Sequence, residues 1–279
     1  MTRVIAASNQ KGGVGKTTTT VNLGVALADA GRRVLLVDLD PQAQTTFGVG
    51  VAPESLRLSL YDVLSETAGI REAILPTSNE NLDLVPAHIN LAAAESDLLQ
   101  AMAREQLLRN ALATVRDDYD YVLIDCPPSL GILTVNALTA ADELIVPMQA
   151  QLYSFLGFTK LLETVSKAQR RVNPRLKIRG VLITQYNERT VAQREFMEQL
   201  ARRIERHIPI FETKIKHATG VHEAELAQQP LLRYAGKSPV ALAYRELARE
   251  LLRDEVPRRE AAPAYVGVAC AEGQEARHG

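Results

Sequence analysis

N-Q-K-G-G-V-G-K-T-T-T-T, residues 9–20, decides how the rest of the chain is read. It follows the apolar run Val4-Ile5-Ala6-Ala7 and precedes a helix-like pattern of Val21, Leu23, Val25, Ala26 and Leu27. A strand, a glycine-rich turn and a helix N-terminus in that order make a phosphate-binding loop. Gly12, Gly13 and Gly15 let the backbone bend tightly and turn its N–H groups inward. The unsatisfied N–H groups of the new helix face the same point. Lys16 can reach the outer phosphates of a bound nucleotide, Thr17 can set its hydroxyl on Mg²⁺, and Thr18 can add a phosphate contact, with Val14 inside the same cradle. The usual pattern asks for a glycine where this chain has Gln10, and beside it stands an extra lysine, Lys11.

The chain has 279 residues, 46% of them apolar, enough for a sizeable core. A formal net charge of -1 excludes a generally polybasic binder. The two cysteines, Cys126 and Cys270, have no metal or redox spacing, which suits a reducing, cytoplasmic setting. The five histidines make no zinc pattern. No charged-then-apolar leader and no apolar run of about 18 residues is present, so stable membrane association is not expected.

Strands are expected at 3–8, 34–38, 82–86, 121–125, 144–147, 178–183 and 208–211. Helices are expected at 16–30, 59–67, 131–140, 155–172, 190–206 and 238–253, with a long helical region over 91–116 and a loop over 42–57. Continuous apolar runs such as Val34-Leu35-Leu36-Val37 fit buried parallel strands. The alternation predicts an α/β fold, a mostly parallel central sheet flanked by helices. No linker divides residues 1–254, so one phosphate-loop domain is expected there. Residues 255–279, rich in Ala, Gly and charge, read as a flexible tail.

Asp38 and Asp40 stand two apart at the end of the second strand, near the phosphate loop in this topology. Asp40 is assigned to positioning the attacking water and Asp38 to the Mg²⁺ shell, with room for the roles to be shared. Asp125, after Tyr121-Val122-Leu123-Ile124, is the second Mg²⁺-shell carboxylate, acting directly or through water. The stretch Cys126-Pro127-Pro128-Ser129-Leu130-Gly131 reads as a switch segment hinged at Gly131, with Cys126 a small buried filler. Lys11 is surplus to its own nucleotide. It can cross a dimer interface and neutralise charge on the partner's phosphates.

Together these segments resemble the ParA/MinD class of ATPases, whose Walker A motif is deviant. K-G-G-V-G-K-T-T-T-T-V-N-L-G, residues 11–24, carries the class's signature lysine at Lys11. R-R-V-L-L-V-D-L-D-P-Q, residues 32–42, and Y-D-Y-V-L-I-D-C-P-P-S-L-G, residues 119–131, match its other motifs and look most like ParA/Soj chromosome or plasmid partition ATPases. The resemblance, over about residues 3–253, implies ATP and Mg²⁺ as cofactors and a nucleotide-sandwich homodimer with catalytic Lys11, Lys16 and Asp40. It implies ATP-state binding of non-specific double-stranded DNA, a nucleoid-associated location, and slow hydrolysis stimulated by a ParB-type centromere-binding partner. The chain starts close to its first strand, as in the short ParA type.

Asn187-Glu188-Arg189-Thr190 stands where the family often has D-x-R-T, which makes Arg189 a DNA-contact candidate. Residues 167–217 hold 13 Lys/Arg against 5 Asp/Glu, whereas residues 50–150 hold 5 against 15, so a near-neutral chain can carry one basic face. The other candidates are Lys167, Arg170, Arg171, Arg175, Arg202, Arg203, Arg206, Lys214 and Lys216. No aromatics interleave with them, which favours a phosphate-backbone reader. The family pattern fades after Thr213, and a further family arginine falls at Gly220. Relatives that position a protein cargo share the same motifs. A MinD-like membrane ATPase would need a terminal amphipathic helix, for which the tail has no broad apolar face. A nitrogenase-type reductase would need a cluster-holding cysteine set that Cys126 and Cys270 do not supply.

Overall fold

The computed structural model describes residues 2–98, 101–151, 153–204 and 207–253. The expected tail, Cys270 and Arg206 lie outside them. Seven strands form one sheet: β1 (Arg3–Ala7), β2 (Val34–Asp38), β3 (Leu75–Pro76), β4 (Leu82–Val85), β5 (Tyr121–Asp125), β6 (Glu143–Gln149) and β7 (Lys177–Thr184). Their order across the sheet is β3-β4-β2-β5-β1-β6-β7, parallel throughout except for the two-residue edge strand β3.

Side chains of successive strand residues point to opposite faces, so each apolar strand feeds two cores. Val122 and Ile124 join one cluster with Leu35 and Val37, while Tyr121 and Leu123 join the other with Val34 and Leu36. The helices cover both faces. They are α1 (Lys16–Asp29), α2 (Gln44–Gly48), α3 (Leu60–Leu64), α4 (Ile70–Ala73), α5 (Leu91–Asp97), α6 (Leu107–Ala113), α7 (Ile132–Ala140), α8 (Ser154–Arg171), α9 (Val191–Ile204), α10 (Gly220–Leu226), α11 (Leu231–Tyr234) and α12 (Pro239–Arg253).

Four expectations change. The expected strand at 208–211 is one bridge between Val181 and Ile210, because Pro209 has no N–H to donate. The long helical region over 91–116 is broken. Ala103 turns left-handed at φ 49°, and Asn136 takes the N–H of Leu108 and donates to the Arg104 carbonyl, which anchors the restart. The loop over 42–57 contains α2 and a 3-10 turn at Pro53–Ser55. The expected helix at 59–67 closes at Leu64, after a capping box in which Ser59 and Asp62 satisfy each other's backbone.

Candidate nucleotide site

Parallel register puts Ala7 opposite Asp125 and Asp38 opposite Asp125, so the ends of β1, β2 and β5 lie at one level. The loop after β1 bends over this edge. Gly13 and Gly15 take φ of 68° and 85°, the left-handed region that glycine enters without a Cβ clash. Gly15 caps α1 with no side chain bonded to the first-turn N–H groups, and that turn holds no acidic residue. The helix therefore presents uncompensated donors, an anion cradle at its N-terminus.

The cradle opens into a cleft of about 520 Å³ lined by Gly12, Gly13, Gly15, Lys16, Thr17, Thr18 and Asp40 at one end and by His217, Val221, Pro230 and Leu231 at the other. The P-loop lysine, Lys16, is buried, as is Val14 behind the loop. Asp40 is nearly buried and accepts the Gln42 N–H at 3.0 Å.

The three carboxylates separate. Asp125 is fully buried. Its Oδ2 accepts from the Thr45 hydroxyl at 2.8 Å, and its Oδ1 has no hydrogen-bond partner. Burial pushes the Asp125 carboxyl up to about 6, against the pull of Thr17, Thr45 and Lys16. A buried oxygen without a donor, beside the Thr17 and Lys16 side chains, suits a cation held by one carboxylate, one hydroxyl and nucleotide phosphates. The residues present therefore fit Mg²⁺ with Asp125 and Thr17 as its protein ligands. Among the described residues no group of three or more His, Cys, Asp or Glu could hold a metal. Asp38 is held by α2. Its Oδ2 takes the Thr46 N–H at 2.8 Å and the Thr46 hydroxyl at 2.7 Å, and its Oδ1 takes the Asp40 N–H at 3.3 Å, so both oxygens have donors; neither Asp38 nor Asp125 is part of the cleft lining. Burial first and the neighbouring Asp125 second push the Asp38 carboxyl up. Cys126 is fully buried, and burial pushes its thiol up, which removes the thiolate that a nucleophile needs.

Lys11 does not enter its own cradle. Its Nζ donates to Gln149 Oε1 at 2.7 Å and Gln151 Oε1 at 2.6 Å, at the end of β6. The amide of Gln149 and that of Gln185 both donate to the Gly13 carbonyl, at 3.0 and 2.8 Å. The Thr184 hydroxyl holds the Val14 carbonyl at 2.8 Å. Sequence reading missed these braces and the two α2 threonines. Q-A-Q at 149–151, at the end of β6, and T-T at 45–46, in the segment that follows β2, are the signals that mark them.

The described basic candidates are exposed but scattered. Lys167, Arg170 and Arg171 occupy the C-terminal end of α8, roughly 18–24 Å along its axis from Phe155. Arg202 and Arg203 end α9, and Arg203 stacks 4.7 Å over the ring of Phe155. Lys214 lies 5.1 Å over Tyr186. Lys216 pairs with Glu188 at 3.2 Å, next to Arg189, and Arg202 pairs with Glu198 at 3.5 Å. Among the described residues no helix is long and apolar enough to cross a membrane.

A family model described as an AAA domain matches residues 2–178. The sporulation initiation inhibitor protein Soj of Bacillus subtilis is 43% identical over 251 residues, covering 90% of this chain and 98% of its own. The chromosome partitioning protein ParA of Caulobacter vibrioides is 42% identical over 261 residues, covering 92% and 96%. Among solved structures, cobyrinic acid a,c-diamide synthase from Mycobacterium smegmatis with bound ADP and magnesium superposes with a TM-score of 0.82 at 41% identity, covering 96% of this chain and 100% of that one.

Proposed function

Because the chain belongs to the ParA/MinD superfamily of phosphate-loop ATPases and binds and hydrolyses ATP with Mg²⁺, we propose that it is a dimeric ATP switch that grips non-specific DNA in its ATP state and drives DNA segregation. The observation that carries the reading is the placement of Lys11. Its amine bonds to Gln149 and Gln151 and leaves Lys16 alone with the cradle, which supports the reading that Lys11 serves a facing copy. In the proposed cycle two ATP-loaded copies close with each Lys11 crossing over. Asp40 orients water toward the outer phosphate, while Thr17 and Asp125 hold Mg²⁺, which withdraws charge from the phosphates. Closure doubles the exposed basic surface and so steepens DNA affinity. Slow hydrolysis, speeded by a ParB-type partner, opens the dimer and releases the DNA. The chromosome partitioning protein ParA, similar along nearly its whole length, supports the segregation reading.

A second reading keeps the switch and replaces the DNA cargo with a protein assembly. It is favoured by the ion pairs Lys216–Glu188 and Arg202–Glu198, which partly neutralise two DNA candidates, and by Gly220, where the resemblance has an arginine. Binding of random-sequence duplex DNA, with ATP, ADP or no nucleotide, tests the shared switch in the parent and Lys11→Ala. Binding confined to ATP, weakened by salt and lost in the variant is expected; equal binding in all nucleotide states refutes it. Removal of the gene separates the cargoes. Missegregated replicons support the DNA reading, and a misplaced protein assembly with normal segregation supports the other.

A further inference from the structure

Helix α2 is too short to hold itself together, since a five-residue helix lacks the length to repay nucleation. It is entered through Ala43 in a left-handed conformation at φ 53°. Two adjacent, fully buried threonines hold it instead. The Thr45 hydroxyl donates to Asp125 Oδ2 at 2.8 Å. The Thr46 backbone and hydroxyl donate to Asp38 Oδ2, and the Thr46 hydroxyl accepts the Ala87 N–H at 3.0 Å. Asp38 and Asp125 are register partners across β2 and β5. Just beyond α2, a Cβ built on Gly50 would stand 3.4 Å from the Gln228 carbonyl, next to α10, whose Val221 and Glu225 line the far end of the cleft. One short helix thus joins the carboxylate end of the cleft to its other end.

We infer that Thr45 is a positioning residue for the metal site: its hydroxyl fixes the Asp125 carboxylate so that Oδ1 faces the cation, and through that bond metal occupancy sets the conformation of α2. The inference rests on the reading that Asp125 holds Mg²⁺. Oδ2 has its donor in Thr45, so Oδ1 is the oxygen left for a ligand. Removing the Thr45 hydroxyl leaves Oδ2 without its donor and loosens the carboxylate. A loosened carboxylate holds the cation less well, and α2 loses its link to the ion.

Binding of a fluorescent ADP analogue at increasing Mg²⁺ tests this on the intact chain. Thr45→Val is expected to raise the Mg²⁺ concentration for half-maximal effect by about 10–100-fold, with ADP affinity in EDTA kept within about twofold. Thr45→Ser keeps the hydroxyl and restores the parent Mg²⁺ response. An unchanged Mg²⁺ requirement in Thr45→Val, or an equal loss of affinity with and without Mg²⁺, overturns the inference. Asp125→Asn tests the underlying reading separately. If its Mg²⁺ dependence equals that of the parent, Asp125 is not a ligand and the premise fails, whatever Thr45 does. The chain has no tryptophan, so Phe47→Trp places a single reporter on α2. An Mg²⁺-dependent emission change that survives with Thr45→Ser and vanishes with Thr45→Val is expected. A change that survives with Thr45→Val overturns the link to α2.

Discussion

Replacing Gly15 by alanine separates backbone strain from steric clash. Gly15 sits at φ 85°, and a Cβ built there meets only Thr184, at 3.8 and 3.9 Å, an ordinary contact. The cost is therefore conformational, roughly 1–2 kcal/mol for an L-residue in the left-handed region. Gly12 supplies the control: nothing lies within 4 Å of its built Cβ and its φ is not left-handed. In Gly15→Ala the penalty has two outlets. If the loop keeps its shape, the nucleotide-free protein bears the strain and melts about 2–8 °C lower, with ADP affinity kept. If the loop relaxes, the melting temperature holds and the donors leave their aim, so ADP affinity falls about 5–30-fold. Calorimetric melting of the nucleotide-free protein and titration with ADP and Mg²⁺ measure both. Gly12→Ala melts with the parent. A Gly15→Ala protein equal to the parent in both quantities refutes the reasoning.

Asp40→Asn should bind ATP within a few-fold of the parent and hydrolyse it about 10²-fold more slowly in single-turnover assays; parental turnover removes Asp40 from water positioning. Asp38 gives a signed pH dependence. Its folded-state carboxyl lies above the usual 3.8, so between that value and about 8 the folded protein holds a proton that the unfolded chain has lost, and stability falls as pH rises. Asp38→Asn should flatten that slope in urea denaturation of nucleotide-free protein in EDTA, and an equally steep slope in the variant contradicts it. Arg189→Ala should lower the slope of log DNA affinity against log salt by about one while leaving ATP-dependent dimerisation intact; an unchanged slope excludes Arg189 from phosphate contact.

The phosphate loop, the parallel strands and the two strand-end aspartates were legible because each is written in consecutive residues: glycines, an apolar run, a carboxylate. What escaped depends on partners distant in sequence. Lys11 meets Gln149 and Gln151, some 140 positions away, and Thr45 meets Asp125. The break before α6 is fixed by Asn136 on another helix. Short α10 and α11 have too little buried apolar surface to print a periodic pattern, with Ala224 the only fully buried side chain in α10. The expected strand at 208–211 failed for the opposite reason: Ile208 and Phe211 are buried and Ile210 partly so, but Pro209 keeps the ladder from extending.

The two margins of the sheet bear on how copies of this chain can meet. One margin ends in β3, two residues long, with Pro76 as one of them. At the other, the segment from Pro209 to Lys216 runs along β7, with backbone hydrogen bonds at Val181 and Ile183 and a further bridge between Tyr186 and Lys216. A growing ribbon needs a long flat row of free donors and acceptors, and neither margin offers one. Strand-to-strand stacking, the route to insoluble aggregates, is blunted at both sides. In the proposed dimer, copies meet instead through the loop-bearing rim where the cleft opens, away from both margins.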